Sequence, residues 1–236
     1  MAERITLSIK RFYAPQNKTW WQDYDIDLKS GMTVLEALYF IAENIDGSLS
    51  FRYSCRGAVC GSCAMMINGT ITLACHTQIA SLLPGTVKIE PLPRFKVLKD
   101  LIVEMDAFLE KYRSIDPFML NDFKENAETL QTPSNRKEIV NSVKCILCAS
   151  CHSACPLTAF DQDYLGPAVL NAVHRFGFDE RNEKAEEIIK KINNQNGTFG
   201  CKTISRCTDV CPKEIEPSKR ITELKHRIKE MSYKRK

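Results

Sequence analysis

Long apolar runs and a strong net charge of either sign are both missing from this sequence. No uncharged apolar stretch approaches the ~18 residues of a membrane-spanning helix, because charges such as Asp100 and Glu104 interrupt each candidate. The first residues carry an early acid and no long apolar segment, so we expect no secretory signal. A net charge of +4 over 236 residues is too weak to indicate a nucleic-acid partner.

Motifs for organic cofactors and for hydrolytic chemistry are also missing. The sequence contains neither G-x-G-x-x-G nor G-x-x-x-x-G-K-[ST], so no flavin, nicotinamide or nucleotide site is indicated. Nothing resembles a nucleophile triad or a zinc hydrolase motif. We therefore expect no catalytic residue in this chain.

Cysteine, in contrast, is abundant. Eleven cysteines without a secretory signal favour metal binding in a reducing compartment over a disulfide framework. Isolated core cysteines would be scattered, whereas these form three groups separated by long cysteine-free intervals. The groups are Cys55, Cys60, Cys63 and Cys75; Cys145, Cys148, Cys151 and Cys155; and Cys201, Cys207 and Cys211.

The first group has the C-x4-C-x2-C spacing of plant-type 2Fe–2S proteins, with Cys75 as the fourth ligand. A structural zinc site usually pairs two short C-x2-C knuckles, whereas three of these ligands share one loop. We expect Gly57 and Gly61 to allow positive φ and a close approach of backbone amides to sulfur. The spacing predicts a 2Fe–2S cluster.

The second group is the bacterial ferredoxin run C-x2-C-x2-C-x3-C-P, and the third group repeats it with Ile204 in place of the second cysteine. In two-cluster ferredoxins the fourth cysteine of each run ligates the other cluster. That exchange predicts a 4Fe–4S cluster and, because isoleucine cannot ligate iron, a 3Fe–4S cluster. The predicted ligands of the 4Fe–4S cluster are Cys145, Cys148, Cys151 and Cys211, and those of the 3Fe–4S cluster are Cys155, Cys201 and Cys207. Together with the four ligands of the 2Fe–2S cluster, these account for all eleven cysteines.

The four histidines are not needed as ligands. His76, His152, His174 and His226 are interpreted as ordinary polar residues. A role for His76 or His152 in tuning a cluster through its surroundings stays open.

The periodicity of the chain changes near Pro91-Leu92-Pro93, which we interpret as a linker. Before it, strands beginning near Ile5 and Tyr24, a capping box at Thr33–Glu36, and an Asn68-Gly69 hairpin predict a small sheet with one helix. After it, two helical stripes predict ordinary core packing. The stripes are Leu98, Leu101, Ile102, Met105 and Leu109, and Ile221, Leu224, Ile228 and Met231.

The three cysteine groups in this order, with the non-ligating Ile204, resemble the iron–sulfur subunit of succinate dehydrogenase and quinol:fumarate reductase, the complex II family. The motif Cys60-Gly61-Ser62-Cys63 and the sequence around Asn68-Gly69 contribute to the resemblance. It implies an α+β chain. A β-grasp plant-type 2Fe–2S ferredoxin domain over 1–93 would precede a mainly α-helical bacterial ferredoxin-like domain over 94–236.

The resemblance also implies partners. An FAD-containing flavoprotein subunit would interconvert succinate and fumarate, and electrons would pass through the Cys55, Cys145 and Cys155 clusters to quinone or haem b. A membrane-anchor cytochrome b would hold the chain peripherally at the cytoplasmic side of a bacterial inner membrane. Phe160 and Lys202 stand where quinone-binding relatives carry tryptophan and histidine, which favours the haem-containing, menaquinone-linked branch. The physiological direction stays open.

Two alternative functions are a cluster-bearing subunit of another enzyme and a free soluble electron carrier. Cluster-bearing subunits of other respiratory or methanogenic enzymes tend to carry two complete four-cysteine runs or an appended cysteine-rich domain. Free plant-type ferredoxins tend to be small and acidic, whereas this chain is large with a pI near 8.4. From Lys213 onward nine basic and four acidic residues give a local charge of +5, which fits a solvated helix or contact with anionic lipid.

Overall fold

A computed structural model describes residues 4–121 and 128–233, and it divides the chain into two compact units. The first unit comprises the chain up to residue 105 together with 146–153, and the second comprises 106–145 and 154 onward. The predicted domain boundary after Pro93 stays a prediction. Within the described residues, no helix combines the length and the apolar character needed to cross a membrane.

The first unit is built on one sheet whose order is β4-β3-β5-β1-β6-β7, with β2 also paired to β1. The long strand β1 runs antiparallel to β2 and parallel to β5, where Leu7 lies opposite Val87. Alternate β1 residues are buried, which confirms the predicted period of two. The strands are β1 Arg4–Tyr13, β2 Lys18–Asp27, β3 Ala64–Ile67, β4 Thr70–Leu73, β5 Val87–Glu90, β6 Val97–Lys99 and β7 Ile102–Val103.

Helix α1, Val34–Asn44, packs its apolar face into the core of this sheet. The predicted capping box is confirmed, since the Glu36 amide donates to Thr33 Oγ1 at 3.2 Å and the Thr33 amide donates to Glu36 at 2.7 Å. The predicted β3–β4 hairpin is also confirmed. Asn68 and Gly69 both have positive φ, +46° and +78°, as a two-residue primed turn requires.

The predicted helical stripe from Leu98 to Leu109 is wrong in its first half. Residues 97–99 and 102–103 form β6 and β7, and β6 pairs with β1 through Lys99 and Tyr13. Asp100 between these strands has φ +47° and is buried, where its carboxylate accepts hydrogen bonds from Arg11. A buried ion pair and a left-handed residue override the helical spacing here.

The second unit is helical, and its core lies among α6, α7 and α9. The stripe predicted for the last helix is confirmed, because Ile221, Leu224 and Ile228 are buried in that core and Met231 packs against it. The helices are α2 Asp106–Arg113, α3 Pro133–Val143, α4 Ser150–Ala154, α5 Leu157–Phe160, α6 Pro167–Gly177, α7 Ala185–Lys191, α8 Arg206–Asp209 and α9 Pro217–Tyr233; α4 begins in residues that pack with the first unit.

Candidate iron–sulfur centres

The loop that carries the first cysteine group follows a tightly curved path before β3. Arg56, Ala58 and Gly61 all have positive φ, at +57°, +55° and +72°. The expectation that Gly57 would adopt this conformation is wrong, because its neighbours Arg56 and Ala58 take the left-handed turns instead. For Gly61 the expectation is confirmed. Alternating left-handed residues turn successive amides toward one side of the loop.

Those amides point at cysteine sulfurs. The amides of Gly57, Val59 and Cys60 lie 3.4, 3.2 and 3.2 Å from Cys55 Sγ. The amide of Ala58 lies 3.3 Å from Cys75 Sγ. Donors arranged in this way stabilise negative charge on thiolate sulfur, so the backbone is organised for an anionic centre.

The first four cysteines differ in burial and in acidity. Cys55 and Cys60 are exposed, whereas Cys63 and Cys75 are buried. Burial on its own would raise the pKa of Cys60, but hydrogen bonds from the Cys55 amide and from Ser62 outweigh it and lower the pKa to about 6. Burial, with the neighbouring thiol of Cys75, raises the pKa of Cys63 to about 12. Exposed Cys60 is thus a more acidic thiol than usual and buried Cys63 a less acidic one, because hydrogen bonds act on the first and burial acts on the second.

The same loop is in van der Waals contact with the segment that carries Cys148. A Cβ atom built on Gly61 would lie 2.7 Å from the Cβ of Cys148 and 3.0 Å from the carbonyl oxygen of Ile146. Only glycine allows this approach, and the positive φ adds a second reason for it. Ligands predicted for two different clusters thus come from loops that touch.

A buried charge cluster holds the chain that leads into the first loop. Asp100 accepts from Arg11 Nε at 2.9 Å and from the amide of Ser50 at 3.0 Å, and Arg11 also donates to Asp46 at 2.6 Å. Arg11 and Asp100 are both buried. The hydrogen bonds from Ser48 and Tyr24 lower the pKa of Asp46 against its burial. Sequence reasoning missed this cluster, because its members are far apart in the chain and no periodicity joins them.

The four cysteines predicted to hold the 4Fe–4S cluster are divided between the two units. Cys148 and Cys151 pack with the first unit, whereas Cys145 and Cys211 belong to the second. Cys148 Sγ lies 3.3 Å from Ser150 Oγ, which parallels the 3.1 Å separation between Cys60 Sγ and Ser62 Oγ. Convergence of these four cysteines on one 4Fe–4S cluster stays a prediction.

The two cysteine runs of the second half share a backbone conformation. Leu147 and Ala149, which flank Cys148, have φ of +52° and +61°, and Thr203 and Ser205, which flank Ile204, have φ of +57° and +65°. A short helix follows in each case, α4 and α8. Ile204 therefore occupies the backbone position in its run that Cys148 occupies in the other.

The third group comes together within the second unit. Cys207 is buried, and burial together with the thiols of Cys155 and Cys201 raises its pKa to about 11. These three cysteines line one small cavity with Ile204 and Tyr164. Burial is the main cause that raises the pKa of Tyr164 above its usual range, and the same three thiols add to the effect. Lys225 donates to the Cys201 carbonyl at 2.8 Å and fixes that end of the loop.

These cysteines suit a cluster better than a single ion. Across residues 4–121 and 128–233, no three histidine, cysteine or acidic side chains converge on a point that would hold one metal ion. Thiolates of an iron–sulfur cluster are shared among several irons, two on each iron of a 2Fe–2S cluster and one on each ligated iron of a cubane-type cluster, so they surround a volume instead of meeting at one point. The amide donors of the first group and the cavity shared by the cysteines of the third group fit that requirement.

His174 and its neighbours hold the start of the second cysteine group. His174 Nδ1 lies 2.8 Å from Ser142 Oγ, and Nδ2 of the Asn171 side chain donates to the Ser142 carbonyl at 3.2 Å, three residues before Cys145. Burial, and then the charge of Arg220, lower the pKa of His174 to about 3. His174 Nε2 also lies 2.9 Å from Oε2 of Glu223, so this histidine, interpreted from the sequence as an ordinary polar residue, is part of a buried polar network.

Comparison with known proteins places the chain in a family. Residues 6–110 match the 2Fe-2S iron-sulfur cluster binding domain, and residues 141–215 match the 4Fe-4S dicluster domain. The chain is 36% identical over 223 residues to the fumarate reductase iron-sulfur subunit of Mycobacterium tuberculosis (strain CDC 1551 / Oshkosh), covering 92% of this chain and 90% of the relative. The chain belongs to the succinate dehydrogenase/fumarate reductase iron–sulfur subunit family. It is thus a subunit of an oxidoreductase, as the cysteine pattern predicted.

Solved structures agree on the fold of this iron–sulfur subunit. A chain of the Mycobacterium smegmatis Sdh1 complex in the apo form superimposes with a TM-score of 0.87 at 21% identity, over 99% of this chain and 98% of that one. A hypothetical protein from Helicobacter pylori matches with a TM-score of 0.58 at 16% identity, over 95% of this chain and 40% of that one. The predicted α+β class, with a 2Fe–2S ferredoxin sheet followed by a helical 4Fe–4S part, is confirmed.

Proposed function

We propose that this subunit conducts electrons between the FAD of a flavoprotein subunit and quinone or haem b in a membrane anchor. Cys55, Cys60, Cys63 and Cys75 hold a 2Fe–2S cluster; Cys145, Cys148, Cys151 and Cys211 hold a 4Fe–4S cluster; and Cys155, Cys201 and Cys207 hold a 3Fe–4S cluster. Bound there, the clusters supply one-electron redox centres. The chain itself holds the sulfurs, orders the loops and contributes no residue to dicarboxylate chemistry.

The contact between Gly61 and Cys148 is the observation that carries this proposal. It joins the loop of the first group to a ligand of the second with no side chain between them. Two redox centres held by touching loops are suited to exchanging electrons. A chain that merely stored iron would have no need for such an approach, which requires glycine in a left-handed conformation.

The assignment of three irons to the last cluster rests on Ile204. Its run repeats the left-handed residues of the run that contains Cys148, so the backbone presents a side chain at the position of the missing ligand. That side chain is aliphatic and lines the cavity of the three cysteines. Three thiolates and one apolar corner fit a 3Fe–4S cluster.

Two exposed regions suit the proposed partners. The outer edge of the first loop, with exposed Cys55 and Cys60 and with Val59 65% exposed, suits the flavoprotein subunit. In the second unit, Phe160 is 87% exposed, and this apolar surface suits a cytochrome b anchor, with the subunit peripheral to the cytoplasmic side of the membrane. Phe160 and the exposed Lys202 support a menaquinone-linked, haem-containing anchor.

Iron, acid-labile sulfide and EPR measurements on the native complex test the proposal. We expect about nine irons per copy of this chain and no zinc, as two, four and three irons imply. The oxidised complex should show the signal of a three-iron cluster, since that state has an odd electron count. The subunit freed from its flavoprotein should neither oxidise succinate nor reduce fumarate. Zinc in place of iron, or turnover by the free subunit, would refute the proposal.

A further inference from the structure

Tyr164 lies between α5 and α6 with its whole side chain buried; it is only 1% exposed. The backbone of Gly200 passes close to the ring, and a Cβ atom built on Gly200 would lie 2.9 Å from Cδ2 of Tyr164. Lys111 donates to the Tyr164 carbonyl at 2.9 Å. The ring therefore has a fixed position, set by backbone on one side and by the helical core on the other.

Packing explains why an aromatic ring lies here, but it does not explain why the ring carries a hydroxyl group. No nitrogen or oxygen atom of the described residues accepts a hydrogen bond from it, and the sulfur of Cys201 is the acceptor within its reach. A buried phenol usually finds a partner, because an unsatisfied polar group in a protein interior is destabilising. The groups that act on this hydroxyl are the sulfurs of Cys201, Cys155 and Cys207, which share the cavity with it. A phenylalanine would fill the same space without the buried hydroxyl.

The other two cysteine groups show what such a hydroxyl can do. Ser62 and Ser150 each place a hydroxyl 3.1 to 3.3 Å from a cysteine sulfur of the first and second groups. In the repeat of the run, the position equivalent to Ser150 is Arg206, whose side chain carries no hydroxyl. In the third group the local hydroxyl is that of Thr208, which hydrogen-bonds the Cys207 sulfur, and Tyr164 adds a second hydroxyl from a different segment of the chain.

We propose that the Tyr164 hydroxyl donates a hydrogen bond to a sulfur of the cluster held by Cys155, Cys201 and Cys207, and thereby raises the reduction potential of that cluster. The reduced cluster carries one more negative charge than the oxidised cluster, so a donor to sulfur stabilises the reduced state more. Tyr164 is thus a tuning residue for the last electron-transfer step. The inference rests on the proposed function, since it requires a cluster at these three cysteines.

The test is a redox titration followed by EPR on the complex that carries Tyr164→Phe. We expect the equilibrium constant for reduction of the three-iron cluster to fall about tenfold, which for a one-electron couple corresponds to about 59 mV. Tyr112→Phe is the matched control, because Tyr112 packs against the same helical core and is not among the residues lining the cavity of the third group. The control should leave this potential unchanged.

A second variant separates the hydrogen bond from packing. A difluorotyrosine at position 164 keeps the ring and has a more acidic hydroxyl, so it should shift the potential upward, opposite to phenylalanine. In heavy water, the oxidised cluster should show a coupling to an exchangeable deuteron that Tyr164→Phe abolishes. If the three-iron signal is present in every variant and neither the potential nor the coupling changes, the inference is wrong. If the native complex lacks that signal, the proposed function itself fails.

Discussion

Two cysteine runs follow the same backbone path through their first halves: the run from Cys145 to Cys155 and the run from Cys201 to Cys211. Each places two left-handed residues around one central position and then enters a short helix. The central residue is Cys148 in one run and Ile204 in the other. The two runs therefore share a loop conformation, although the central side chain is a thiol in one and aliphatic in the other.

The surroundings of the central residue also differ. Cys148 is in contact with Gly61, whereas Ile204 is 52% exposed at the edge of its cavity. The predicted ligand Cys148 thus lies where its run meets the loop of the first cysteine group, whereas the aliphatic Ile204 lies where its run meets solvent. We expect changes on the Gly61 side to disturb two clusters and changes on the Ile204 side to disturb one.

The largest effect is expected from Gly61→Ala. The added methyl group would overlap Cys148 and also strain a residue at φ +72°, so the first two loops cannot both keep their positions. The complex should lose the 2Fe–2S and 4Fe–4S EPR signals and keep the three-iron signal.

Gly69→Ala is the matched control for that variant. Gly69 also has positive φ, at +78°, but its Cβ would meet nothing within 4 Å. It should weaken the hairpin and leave both signals in place. Retention of both signals in Gly61→Ala would show that the contact is not required for cluster assembly.

Cys148→Ile makes the first run resemble the second. We expect the 4Fe–4S cluster to become a three-iron cluster, so that the iron content falls by about one per chain and a second oxidised signal appears. The added volume sits beside Gly61, so the serine variant at position 148 serves as a control for crowding. Complete loss of the cluster in both variants would contradict the equivalence of the two runs.

Much of this architecture follows from the sequence. The capping box at Thr33, the hairpin at Asn68 and the stripe of α9 depend on local rules, and all three are confirmed. The cysteine spacing identified the family because ligand positions along the chain are fixed by the geometry of the clusters.

The remaining features depend on contacts between distant segments. The Arg11–Asp100 pair joins residues 89 positions apart, and it turns an apparent helix into two strands. The Gly61–Cys148 approach and the position of the Tyr164 side chain beside the cysteines of the third group also become visible only in three dimensions. Within the first loop, the left-handed residues are Arg56 and Ala58 instead of Gly57, because spacing does not specify which residue turns.

The smallest effect expected concerns His174, which holds the segment before the first run. Its pKa of about 3 lies below that of an unfolded histidine, so its contribution to stability is complete above pH 6.5 and is lost as the pH falls toward 3. One such group changes the free energy of unfolding by at most about 1.4 kcal/mol per pH unit in that window.

The variant His174→Gln separates the contribution of His174 to the pH dependence of stability from that of the other titrating groups. His174→Gln should flatten the fall in apparent Tm of the complex between pH 6.5 and 5, measured at one scan rate. His226→Gln, on the same helical unit but outside the buried network, is the control. An unchanged slope in His174→Gln would mean that His174 is not the group that protonates.

We propose that Ile204 alone makes the last cluster a three-iron cluster. EPR spectroscopy of the oxidised complex that carries Ile204→Cys tests this proposal most directly. The backbone around position 204 already matches that around Cys148, so the new thiolate should meet a fourth iron. We expect the oxidised three-iron signal to disappear, a signal of a reduced cubane to appear, and the iron content to rise by about one. A folded variant that keeps its oxidised signal and its original iron content would contradict the claim.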